Sequence, residues 1–150
     1  METFAGRMKQ NGYTTERFVT TIPLAEYVPQ CVDVPKFLGF CRDCPSYGTR
    51  WSCPPHNYDP MDLWARYETL TLVALVLTLD GSLSRTQGVP CWQPQRMRPS
   101  IEALGGDVSL TLERYLGKTL HWTREGEIPE TLTLVGGLLL PDARKGGAYG

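Results

Sequence analysis

The chain lacks an excess of charge of either sign. Lys and Arg number 15 against 16 Asp and Glu, for a formal net charge of −1. No basic field is available to hold nucleic acid or an anionic membrane, so neither is expected as a partner. A bilayer-spanning run is also missing: the longest apolar stretch, LTLVALVLTL at 70–79, is about half of the ~20 residues required. The opening residues, METFAGRMKQNGYTTERF, carry no apolar run behind their charges. No signal peptide is expected there, and the protein is read as cytoplasmic. There is no G-x-S-x-G, no H-E-x-x-H and no glycine-rich phosphate loop, and histidines number only 2. No catalytic acid–base pair is recognisable, and no enzyme class is assigned.

Turn formers are abundant instead. Gly and Pro, at 15 and 12 of 150 residues, predict many turns and short regular elements. With no repeat, low-complexity tract or dividing linker, 1–150 reads as a single domain whose 141–150 tail is loose.

Strands are expected at 15–22, at 70–79 and at 131–140. The second is read as a central strand buried on both faces. In the third, Gly136-Gly137 signals a bulge or a close backbone approach. Short helical pieces are expected at 24–28 and at 33–41, the latter capped by Asp33 with Pro35 in its first turn. Another begins at Asp59-Pro60, and two more flank Gly105-Gly106, with Asp107 capping the last. The fold class is therefore α+β: a small mixed sheet of about three or more strands packed with short helices, carrying a proline-rich cysteine loop.

That loop, CRDCPSYGTRWSCPPH at 41–56, holds three of the 5 cysteines. The C-x2-C of Cys41 and Cys44 can converge on one metal, and eight intervening residues allow the chain to return Cys53 as a third thiolate. Pro45, Pro54 and Pro55 stiffen the backbone beside the sulfurs, Tyr47-Gly48 supplies a turn, and Trp51 can shield sulfur from water. Clustered cysteines in a reducing compartment are more often metal-binding or catalytic than disulfide-bonded. A thioredoxin-like pair is the weaker rival, because this C-x2-C ends a helix rather than starting one. Three fourth ligands stay open: His56, completing a Cys3His set that suits zinc; Cys91 in VPCWQP, giving an all-thiolate site; and Cys31, for which core packing is the preferred reading. Arg42, Arg50, Arg96 and Arg98 could neutralise such a site. Basic and acidic residues balance between 31 and 67, however, which favours a solvated surface. Trp92, Trp122 and His121 are read as structural.

The run C-x2-C-P-x-Y-G-x2-W-S-C-P-P, from Cys41 to Pro55, resembles the hallmark of the predicted metal-binding family called domain of unknown function 2284. The resemblance continues through PCWQPQRMRPSIEALGGDV at 90–108, which looks like that family's R-P-S-x-E-A-x-G-x-D-V signature, and on to the strand ending GGLLL. It implies iron–sulfur binding through Cys41, Cys44, Cys53 and Cys91. The family usually places further cysteines before the position of Cys91, whereas residues 80–90 contain none, so a second full cluster is not expected. The leading expectation is a [4Fe–4S] cluster on these four cysteines, serving electron transfer or acting as a redox accessory to an unidentified partner protein. The alternative is a structural zinc module, with His56 as fourth ligand, mediating protein–protein interaction.

Overall fold

A computed structural model describes residues 4–10, 12–50, 52–81, 100–121 and 130–142. The sheet starts with a hairpin. Strand β1 (Phe4–Gln10) and strand β2 (Tyr13–Pro23) pair from Phe4↔Val19 to Gln10↔Tyr13, joined by a two-residue connection. Its second residue, Gly12, has φ of 90°, a conformation that a glycine adopts without steric cost. Strand β3 (Thr69–Leu79) pairs with β2 along its whole length, and β4 (Thr131–Leu140) closes the order β1-β2-β3-β4.

The α+β class is as expected, with one strand more than the three read from sequence. The sheet is not mixed, however, because each of its pairings is antiparallel. A two-residue hairpin permits no other relation between β1 and β2.

Nor is β3 equally buried on both faces. Leu70, Leu72 and Ala74 are almost inaccessible, while Thr69, Thr71 and Val73 between them are half-buried. From Thr69 to Ala74 burial alternates with the pleat, the even-numbered residues joining the core cluster with the helices, and farther on Leu77 of the other face is buried as well. Ile22, opposite Leu70, and Thr20, opposite Leu72, extend the even-numbered face onto β2. On β4 the glycine pair stays in register, opposite Val73 and Leu72, so it makes no bulge. It marks the close approach instead: a Cβ on Gly137 would lie 2.6 Å from Leu70 Cδ1.

Among the described residues there are five short helical segments, and all but the second contribute buried residues to the core. Helix α1 (Leu24–Cys31) presents Leu24, Tyr27 and Cys31 to it. Helix α2 (Val34–Arg42) starts where Asp33 accepts a hydrogen bond from Lys36 N, and α3 (Pro60–Ala65) where Asp59 accepts from Met61 N. A 3-10 turn (Glu102–Leu104) precedes α4 (Val108–Leu116), which Asp107 caps at Leu110 N. All three aspartate caps match the sequence reading, each satisfying an N–H that the helix cannot. The piece expected at 24–28 runs further, to Cys31, despite Pro29. Tyr27, fully buried, donates or accepts at Thr111 Oγ1 across 2.8 Å and packs its ring 5.7 Å from Trp64 and 6.0 Å from Tyr115. Burying side chains of this size contributes roughly 1.5–3 kcal/mol each.

The turn around Gly105 ties these pieces together. Asp33 N donates to Gly105 O and Asp107 N to Cys31 O, both at 2.7 Å, and Val32 bridges Gly106. Gly105 adopts φ of 89° with its Cα pressed on Val34: a Cβ there would sit 2.6 Å from Val34 Cα. Replacing Gly105 by Ala therefore meets both a left-handed backbone and a backbone clash. A loss of about 2–5 kcal/mol of unfolding free energy is expected, read as a lowered midpoint in urea. An unchanged midpoint would contradict the close approach.

Candidate functional site

The cysteine loop leaves α2 through a chain of tight turns. Cys44 N donates to Cys41 O at 3.1 Å, Tyr47 N to Cys44 O at 3.0 Å, Thr49 N to Ser46 O at 3.1 Å and Cys53 N to Arg50 O at 3.0 Å. Thr49 adds its hydroxyl to Ser46 O at 2.7 Å. Four backbone N–H groups that have no strand partner are thus satisfied by local turns. Buried Ser52 and Pro54 fasten its return limb. The C-x2-C does end a helix, as the sequence indicated: Cys41 lies in the last turn of α2.

Farther on, the loop is fixed to the Ile101–Gly106 turn. His56 Nε2 lies 2.7 Å from Ala103 O, and Trp64 Nε1 donates to Leu104 O at 2.8 Å. A carbonyl only accepts, so Nε2 of His56 carries the proton, and Nδ1 is the ring nitrogen with a free lone pair. The ring also stacks on Tyr58, with centroids 4.9 Å apart. Ala103 N in turn donates to Ser100 Oγ at 3.2 Å. Residues of the S-x-E-A-x-G-x-D-V stretch thus have structural duties: Ser100 holds the turn, Gly105 reverses the chain and Asp107 caps α4.

Cys41 is half-buried, Cys53 likewise, and Cys44 is exposed; all three are free thiols. Burial pushes the Cys41 thiol up, and negative charge on Cys44, Cys53 and Glu102 pushes it further. The three loop sulfurs and the Glu102 carboxylate therefore share one electrostatic neighbourhood. Cys31 does not join them. It is 2% exposed in the core cluster, and burial raises its thiol against a hydrogen bond from Thr111 that lowers it. Cys91, Trp51, Arg96 and Arg98 lie outside the described residues.

The donor chemistry of the loop suits a thiophilic metal. Its placement does not complete a coordination sphere: among the described residues, no group of three or more His, Cys, Asp or Glu side chains is arranged to hold a metal ion. Sequence spacing grouped Cys41, Cys44 and Cys53, and charge on Cys44 and Cys53 does act on Cys41. That spacing gave no role at the loop to Glu102, whose charge reaches Cys41 because the 3-10 turn packs on α2.

Comparison of the chain with protein-family models, with curated proteins and with solved structures finds no match. Among the described residues, no helix is long and apolar enough to cross a membrane.

Thiol reactivity follows from this arrangement. In the metal-free protein at pH 8, iodoacetamide should label exposed Cys44 first, Cys41 more slowly and Cys31 only on unfolding. A raised thiol pKa leaves less thiolate at any given pH, so labelling of Cys41 should keep rising beyond the pH at which an ordinary thiol saturates. Peptide mass mapping over time checks both statements. Labelling of Cys31 as fast as Cys44 would contradict them.

Proposed function

We propose that the chain is a metal-binding protein whose cysteine loop carries an iron–sulfur cluster, with Cys41, Cys44, Cys53 and Cys91 as ligands. Its place is a reducing compartment, the cytoplasm, and its role is electron transfer or redox support of a partner protein. The observation that carries this reading is the shared neighbourhood of the three loop thiols, in which charge on Cys44 and Cys53 disfavours the thiolate of Cys41. A cation at that place reverses the sign of the effect and favours all three thiolates. The reading adds one event to the described arrangement, closure of the thiols around one centre.

The protein's own contribution would be threefold. The hydrogen-bonded turns from Cys41 to Cys53 hold the sulfurs on a short, stiff segment. Just beyond that segment, His56 ties the end of the loop to the Ile101–Gly106 turn. Glu102 adds a negative charge, which opposes taking up a further electron. When bound, a cluster of this kind supplies one-electron transfer.

A second reading has one specific observation in its favour. The Nε2–H of His56 is committed to a backbone carbonyl, the arrangement by which a metal-ligating histidine is usually oriented, with Nδ1 left for the metal. On that reading Cys41, Cys44, Cys53 and His56 hold a structural zinc, and the stapled loop binds another protein.

Metal content of purified variants separates the two. Cys41→Ser and Cys53→Ser should each lower metal occupancy by at least about tenfold on either reading. Cys91→Ser should do the same for the cluster, while His56→Ala leaves it loaded. Loss of metal in His56→Ala with retention in Cys91→Ser supports zinc instead. Full metal retention in both Cys41→Ser and Cys53→Ser would sink both readings.

A further inference from the structure

Beside the cysteine loop lies a cleft of about 220 Å³ between the last turn of α2 and the segment leading into α3. Leu38 and Pro54 line it with apolar surface, and Arg42, Tyr47, His56 and Tyr58 bring the polar groups. Its chemistry is lopsided. No carboxylate lines it, and among the described residues none forms an ion pair with Arg42. The Arg42 side chain folds back over its own helix, so that a Cβ on Gly39 would meet Nη2 at 3.7 Å. The hydroxyls of Tyr47 and Tyr58 make no hydrogen bond to another described residue, although the Tyr58 ring is fixed by stacking on His56. Arg42, Tyr47 and Tyr58 thus line one small space that has no carboxylate among its lining residues.

We propose that this cleft binds a small organic monocarboxylate, its two oxygens forked by Arg42 and its apolar body lying on Leu38, Pro54 and the stacked His56–Tyr58 pair. A planar guanidinium matches a carboxylate through two parallel N–H bonds, and a phenol can donate a further one. Monoanion is preferred to dianion on charge. The lining offers one permanent cation, the prolines donate no N–H, and Nε2–H of His56 is committed to Ala103 O. Phosphate or sulfate would be left with a charge unmatched. Size sets the other limit. The volume equals that of roughly seven waters at ~30 Å³ each and falls below the ~300 Å³ at which drug-sized pockets begin. An acid with a single ring or a short chain fits, and a nucleotide does not. The site goes beyond the metal reading and does not depend on it.

Benzoate is the probe, with benzamide as its uncharged isostere and inorganic phosphate as the dianion. Each is titrated into the full chain while backbone amide and Arg42 Nε–H signals are followed by NMR. Benzoate should bind saturably, with a dissociation constant on the order of 1 mM or below, and shift signals of the cleft. Benzamide and phosphate should bind at least about tenfold more weakly, since each loses the charge-matched fork. Arg42→Gln should weaken benzoate by a similar factor and leave benzamide unchanged, with the amide spectrum otherwise preserved. Its metal content should equal that of the parent, so a failure here is distinct from a failure of the cluster. Equal affinity for benzoate and benzamide, tighter binding of phosphate, or full benzoate affinity in Arg42→Gln would each overturn the proposal, as would absence of saturable binding.

Discussion

Much of the structure depends on one close contact, the backbone of Gly105 against the backbone of Val34. There Asp33 N reaches Gly105 O and Asp107 N reaches Cys31 O, two bonds of 2.7 Å that lock the α1–α2 junction to the turn before α4. Gly105 brings no side chain to that interface, and the same turn receives the chain beyond the cysteine loop through His56 on Ala103 O and Trp64 on Leu104 O. Four consecutive parts of the chain are thereby held by one six-residue turn. The cysteine loop is suspended between two of them, and its position relative to the sheet follows from that turn more than from any contact of its own.

Local chemistry was the part of this fold that could be read in advance. Asp33, Asp59 and Asp107 announce helix starts because an aspartate before a proline or an apolar run has few better uses than capping. The strands at 15–22, 70–79 and 131–140 announce themselves by β-branched and leucine-rich runs. Strand β1 was missed, since FAGRMKQ has weak alternation. Asn11-Gly12 behind it is nonetheless a strong hairpin signal and could have revealed it. The burial of β3 was misjudged for a different reason. An unbroken apolar run does not say on which face helices will lie, and Thr69 and Thr71 fall on the less covered one.

The candidate site divides in the same way. Cysteine spacing lies within one loop, so Cys41, Cys44 and Cys53 could be grouped from sequence, and Cys31 could be set apart as a core residue. Glu102 and the Arg42 cleft depend on tertiary docking. Glu102 is near Cys41 because α2 and the 3-10 turn pack together, and Arg42, one of several solvated charges by sequence, lines one cleft with Tyr47 and Tyr58 in the fold. Two neighbouring features result, the loop thiols proposed to hold a metal and the cleft proposed to take an acid, and His56, which lines the cleft, is held by the same turn.

The most direct test of the cysteine loop as a redox centre is anaerobic purification of the full chain, followed by iron, acid-labile sulfide and zinc analysis and an absorption spectrum. Iron and sulfide in equal amounts, with broad visible absorption that bleaches on reduction, is the predicted result. A colourless protein holding one zinc, or no metal at all, would contradict it.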